Sequence, residues 1–190
     1  MQLNEKQLAD GFRTGDAGSF EALYRAYGPR LYRFCLRLSG DVSCAEDLTQ
    51  EVFVAAFRGA DRFEARSSIA TWLYRIALYR WRDARDKSRI TTVSLHDSDA
   101  PLSADPAQIG LQNLELDAAI AALPDALRTA FLLVKAEGFL FREAAEILGV
   151  PESTLKSRVA LAARQLQAQL TSAECDVRIQ GSGCEVGEIP

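Results

Sequence analysis

Apolar positions recur with the 3.6-residue period of helices along most of the chain, and no run keeps the two-residue alternation of a strand for more than a few residues. Leu8 and Phe12, then Phe20, Leu23, Tyr24 and Tyr27, mark an N-terminal helix or helix pair, with Gly15-Asp16-Ala17-Gly18 as the break. Gly28-Pro29 is expected to interrupt or kink the next helical stretch, since proline lacks a helical donor and crowds the preceding turn. Leu31, Phe34, Cys35 and Leu38 form the next apolar face. Gly40-Asp41-Val42-Ser43 reads as a turn, with Ser43 as N-cap and Glu46 three residues later closing a capping box. The helix it opens runs to about Phe57. Another starts at Ser67 or Ser68, extends to about Lys87 and buries Ile69, Leu73, Ile76 and Ala77.

The pattern then changes. Residues 91–110 hold two prolines, three aspartates and no basic residue, which reads as a linker. Beyond it, Leu114, Leu116, Ile120 and Leu123 predict a helix ended by Pro124. Leu127, Ala130, Phe131 and Val134 predict another, closed by Gly138, and a final helix runs to about Leu170. From Thr171 onward, three glycines and four acidic residues face one arginine, the composition of a mobile tail. The expected fold is all-α: two small helical domains, 1–89 and 113–172, joined by an extended acidic linker at 90–112 and followed by a tail at 173–190.

Charge sharpens this division. The 190-residue chain carries a net charge of −4. Between Arg58 and Arg89, nine basic residues face four acidic ones, a local +5 that leaves −9 for the rest. Phosphate neutralisation supplies most non-specific DNA affinity, so such a chain is expected to bind DNA only with help. No run approaches the roughly 18 to 20 apolar residues of a membrane helix. The N-terminus lacks the basic start and apolar run of a secretion signal, so a cytoplasmic protein without membrane insertion is expected.

Two segments point to chemistry. In the first, Trp72, Tyr74, Tyr79 and Trp81 are interleaved with Arg75, Arg80 and Arg82. Aromatic rings can hold unstacked bases while arginines hold the phosphates of a single strand. The competing reading places part of this set in a core. In the second, Ala145, Gly149 and Leu155 have the spacing of a helix-turn-helix, which needs a small residue at the crossing, a glycine in the turn and an apolar anchor. Pro151 suits the first turn of the second helix. Ser153, Thr154, Lys156, Ser157 and Arg158 project from the front of that helix, the part that meets base edges and phosphates. A plain helical hairpin is the alternative.

Taken in order, the segments 45–53 (AEDLTQEVF), 63–77 (FEARSSIATWLYRIA) and 137–158 (EGFLFREAAEILGVPESTLKSR) resemble those of group IV, or extracytoplasmic-function (ECF), sigma factors of bacterial RNA polymerase. The resemblance covers roughly residues 18 to 170. It implies that Asp47, Gln50, Glu51 and Phe53 lie on or beside the surface docking on the β′ clamp of core RNA polymerase. Ser67, Ser68, Thr71, Trp72, Arg75, Tyr79, Arg80 and Arg82 would melt and hold the −10 element of promoter DNA. Ser153, Thr154, Lys156, Ser157, Arg158 and Arg164 would read the −35 element. The β flap and an anti-sigma factor are further implied partners. The chain departs from the family at Leu78-Tyr79, where an Arg-Asn pair or similar is usual, and at Leu161-Ala162-Ala163, where an Arg-Ala-Arg run is usual. Losing two phosphate contacts predicts weaker, less salt-sensitive −35 binding.

The four cysteines and single His96 form no recognisable metal motif, and no nucleophile–base pair or phosphate-cradling loop occurs, so neither a cofactor nor an enzyme is expected. Cys35 sits on an apolar face, the position of an inert thiol, whereas Cys44, near a helix N-terminus, is expected to have a lowered pKa. Cys175 and Cys184 bracket an extension that could be a sensor or a tail with free thiols. Two other functions compete with promoter specificity: a sigma-like protein that only sequesters an anti-sigma factor, and a stand-alone repressor. The +5 stretch and the clamp-helix segment oppose the first; the net acidity opposes the second.

Overall fold

A computed structural model describes residues 10–63, 67–92 and 114–180, with side chains described from 10 to 63, 67 to 87 and 115 to 171. These residues are predominantly helical, with no strand among them. The expected linker lies outside the described residues, apart from its first three residues, and so do residues 181–190 of the tail.

Helix α1 (Ala17–Ser39) starts where Asp16 accepts hydrogen bonds from the Ser19 amide at 2.7 Å and the Ser19 hydroxyl at 2.8 Å. It ends at Gly40, which has φ 73° and donates its amide to the Leu36 carbonyl. Pro29 lies inside this helix, which continues past it, so of the two expected outcomes the chain is not interrupted there. One backbone bond is lost, but Leu31, Phe34, Cys35 and Leu38 just beyond are buried, and each buried leucine or phenylalanine contributes about 1.5–3 kcal/mol.

Helix α2 (Val42–Arg58) folds back on α1. Its N-cap is Asp41, not Ser43: the Asp41 carboxylate accepts from the Cys44 amide at 2.7 Å. The cap therefore sits two residues earlier than the sequence pattern suggests. Ala45, Leu48, Val52 and Ala56 face inward. A 3-10 turn (Ala60–Arg62) leads toward α3 (Ile69–Thr92), which packs across α2 and buries Ile69, Leu73, Tyr74, Ala77, Leu78 and Trp81.

After the linker come α4 (Leu114–Ala121) and α5 (Asp125–Phe131). The predicted continuation of α5 is instead a π-helical turn, Leu132–Ala136. There the Glu137 amide reaches five residues back to the Leu132 carbonyl at 2.9 Å, and Gly138 reverses the chain at φ 75°. Helix α6 (Phe141–Leu148) ends at Gly149, φ 66°, and α7 (Glu152–Gln180) comes next. Pro151 stands just before α7, where its carbonyl accepts from the Leu155 amide at 3.1 Å. Helix α7 runs ten residues past its expected end, so the first part of the expected tail is helical.

Candidate nucleic-acid interface

Three surfaces hold the residues singled out in the sequence. On α2, Asp47, Gln50 and Glu51 are exposed, but Phe53 is only 4% exposed. It points inward, its ring edge-on to Tyr24 at 4.8 Å and to Phe20 at 6.3 Å, so it supports the surface from beneath instead of forming it. The helix period carries the exposed stripe from Asp47 and Gln50 to Val54 and Phe57, both open to solvent, with Tyr24 beside them. Phe57 is 56% exposed although Phe20 packs against it at 5.2 Å. The spacing of four and then three from Gln50 is the sequence signal for Val54 and Phe57.

On α3, Ser68 acts as the cap. Its hydroxyl accepts from the Thr71 amide at 3.0 Å and lies 2.8 Å from the Thr71 hydroxyl. Thr71 is buried, so it does not face outward as the resemblance implied. Ser67 is half-buried. Trp72 is also half-buried, its ring against Phe12 at 5.7 Å and Phe63 at 5.3 Å. Ser68, Trp72, Arg75, Tyr79 and Arg82 succeed one another at steps of four and three, one stripe of a helix. Tyr79 is 68% exposed, Arg82 is exposed and Arg80 lies on the flank. Tyr74 and Trp81 belong to the core, and the Arg85 guanidinium sits 5.0 Å from the Trp81 ring centroid. The aromatic series therefore divides into core rings and one open ring.

The helix-turn-helix has its expected build: Ala145 and Leu155 are buried and Gly149 takes the left-handed turn. Ser153, Ser157 and Arg164 are exposed on one side of α7. Thr154 is half-buried. Lys156 is exposed and paired with Glu152 at 2.6 Å, its ammonium 5.8 Å from the Phe141 ring. Arg158 turns to the flank, into a cleft of about 440 Å³ that Trp81, Arg82, Arg85 and Asp125 also line. Leu161 and Ala163 are exposed.

Burial pushes the Cys35 thiol up to about 12. Cys44 is raised too, by burial first and then by nearby carboxylates, which overturns the lowering expected from the helix N-terminus. The Cys175 side chain and the whole of Cys184 lie outside the described residues. No group of three or more His, Cys, Asp or Glu placed to hold a metal occurs among the described residues, and no described helix is long and apolar enough to cross a membrane.

Comparison with known proteins bears on this arrangement directly. The profile of Sigma-70 region 2 matches residues 23–90, and that of Sigma-70 region 4 matches residues 113–166. The chain is 36% identical over 172 residues to the ECF RNA polymerase sigma factor SigC of Mycobacterium tuberculosis, covering 89% of this chain and 91% of that one. The chain belongs to the ECF RNA polymerase sigma factors.

The ECF sigma factor SigW of Bacillus subtilis is 29% identical over 185 residues, covering 90% of this chain and 98% of that protein. Among solved structures, the sigma factor RpoE in complex with the anti-sigma factor NepR from Bartonella quintana superimposes with a TM-score of 0.72 at 30% identity, covering 82% of this chain and 98% of that one. As an ECF sigma factor, the chain directs RNA polymerase to promoters. Its all-α fold presents sigma region 2 in α1–α3 and region 4 in α4–α7.

Proposed function

We propose that this sigma factor divides its work among the three surfaces above. The outer stripe of α2, with acidic Asp47 and Glu51 beside Gln50 and the apolar Val54 and Phe57, docks on the β′ clamp of core polymerase, with Phe53 bracing it from below. The α3 stripe melts and holds the −10 element: Trp72 and Tyr79 offer ring faces to unstacked bases, and Arg75, Arg80 and Arg82 hold the strand. Ser67, Ser68 and buried Thr71 fix the start of that helix. On α7, Ser153, Thr154, Lys156, Ser157, Arg158 and Arg164 read the −35 element from the major groove. Region 4 also contacts the β flap, and the tract between residues 90 and 112 crosses the polymerase between the two domains.

The observation that carries this reading is the α3 stripe, on which a 68% exposed tyrosine lies between arginines in a chain that is otherwise acidic. Its family supports an anti-sigma partner and a cytoplasmic protein that works without catalysis or cofactor of its own. Binding to purified core polymerase tests the docking surface. Phe57→Ala is expected to weaken core binding by roughly tenfold or more, as loss of a central aromatic contact does, while lowering the melting temperature only modestly through the lost contact with Phe20. Undiminished core binding by Phe57→Ala combined with Asp47→Lys would sink the α2 assignment.

A further inference from the structure

Phe12 stands upstream of residues 23–90, the stretch that matches Sigma-70 region 2, yet it is only 2% exposed and packs against Trp72 of α3. Its ring meets Trp72 edge-on at 5.7 Å and Phe63 edge-on at 6.3 Å, and Phe63 and Trp72 close the triangle at 5.3 Å. Trp72 itself is half-buried near the start of the outward stripe of α3. We propose that Phe12 is a positioning residue for promoter opening: it fixes the orientation of the Trp72 ring, so that a segment preceding region 2 sets how well the −10 strand is held.

The local chain is built to bring Phe12 there. Residues 10–13 are helical, and a tight turn then leads into α1. The Thr14 hydroxyl donates to the Gly11 carbonyl at 2.9 Å, the Asp16 amide donates to the same carbonyl at 3.0 Å, and the Gly15 amide donates to the Phe12 carbonyl at 3.1 Å. Gly11 lies directly against α1: a Cβ at this position would fall 2.0 Å from the Ser19 hydroxyl oxygen, so only glycine lets the two backbones approach so closely. Asp16 accepts from both the amide and the hydroxyl of Ser19, which anchors the turn to the helix it caps. With Gly11 seated on α1, the next side chain, Phe12, is delivered to Phe63 and Trp72.

The Trp72 ring is held at more than one edge. Its benzo edge lies over the Gly59 backbone, where an added Cβ would stand 3.6 Å from Cζ2. Phe12 crosses the indole at 68°. Edge-to-face aromatic pairs are directional, so a phenyl ring at position 12 restricts the indole to one orientation, whereas an aliphatic side chain there would only fill space. A ring already fixed in orientation receives an unstacked base without further ordering. A ring left loose must be ordered when the base arrives, which weakens binding about two- to tenfold for one such side chain.

This role rests on Trp72 holding the −10 strand, and the test separates the two. The full chain is assembled with purified core polymerase, and run-off yield is read on a promoter that the wild type selects from a random library, for Phe12→Leu, Trp72→Leu and the double variant. Phe12→Met, an unbranched side chain that adapts to the same space, is carried through the same cycle in case leucine disturbs the fold. Phe12→Leu should bind core as the wild type does and lower the yield about two- to tenfold, with no further loss once Trp72 is leucine. In the free chain, acrylamide quenching of tryptophan fluorescence should rise for Phe12→Leu but not in the Trp72→Leu background; Trp81 is 5% exposed, so the rise reads Trp72. Equal losses with and without Trp72 would mean that Phe12 only supports region 2, and would overturn the positioning role. An unchanged yield for Phe12→Leu beside a defective Trp72→Leu would overturn it as well. Wild-type yield from Trp72→Leu would remove the −10 reading of Trp72, and the positioning role with it.

Discussion

The Tyr74 hydroxyl donates to the Glu137 carboxylate at 2.5 Å, linking the middle of α3 to the end of the π turn 63 residues later. Both groups are buried, and the tyrosine's ionisation is pushed upward, first by burial and then by the Glu137 charge. Tyr74→Phe keeps the ring against Phe34 at 4.8 Å and Phe139 at 4.9 Å but takes one donor from Glu137. A buried acceptor that loses a partner costs about 1–3 kcal/mol. Tyr74→Ala also empties a core site and should cost about 3–5 kcal/mol. Thermal unfolding followed by circular dichroism should rank them wild type, Phe, Ala; equal melting temperatures for wild type and Phe would mean the hydroxyl is not partnered in this way.

The start of α2 separates two candidate caps. Asp41 holds the Cys44 amide, while Ser43 is exposed within the first turn. Asp41→Ala should lower stability by about 1 kcal/mol and Ser43→Ala by only a few tenths. Urea unfolding of the two variants measures the difference; the reverse order would restore Ser43 as the cap.

Much of this architecture is legible in the chain, and the parts that are not share a physical cause. The helix-turn-helix can be read because its requirements are local: Ala145, Gly149 and Leu155 lie within eleven consecutive residues, and each is dictated by the crossing or the turn. The stripe of α3 comes from its period. Which rings turn inward does not, because Tyr74 is buried by Phe34 on one side and Phe139 on the other, residues far away in sequence. That Phe53 lies beside the docking surface and not on it is visible only once its inward neighbours, Phe20 and Tyr24, are known. Pro29 is a weaker breaker than its local chemistry suggests, since tertiary burial just beyond it outweighs one missing bond. The pair of Arg30 with Glu137, 2.8 Å apart, has no local signal at all, because 107 positions separate the two residues.

Cys35 gives the fold an alkaline limit. Its folded pKa of about 12 lies above the ordinary 9.0, so the folded state keeps a proton that the unfolded chain gives up. Stability is therefore unaffected below about pH 9 and falls as pH rises toward 12, by at most ~1.4 kcal/mol per pH unit from this group. Tyr74, also raised, acts in the same direction at higher pH. Urea midpoints from pH 8 to 11 should decline more steeply for wild type than for Cys35→Ala. Parallel declines would show that the thiol is not responsible.

Leu161 and Ala163 stand exposed on α7, where the family usually carries arginine. Both can therefore be replaced without disturbing the core. Leu161→Arg and Ala163→Arg should each steepen the dependence of log affinity on log salt by about 0.9 for a −35 duplex, the increment of one added phosphate contact. Titrations at several salt concentrations with region 4 in the full chain measure the slope. An unchanged slope would place this side of α7 away from the DNA.

The most direct test of the promoter-opening role is run-off transcription with purified core polymerase on a library of random promoters, comparing wild type with Tyr79→Ala. The wild-type chain should yield transcripts from one defined −35/−10 pair. Tyr79→Ala should still bind core but lose most of that yield, with the loss concentrated in the −10 preference. Wild-type chain that binds core and starts no transcript, or a Tyr79→Ala variant with unchanged yield and unchanged −10 preference, would contradict the assignment of the α3 stripe to promoter opening.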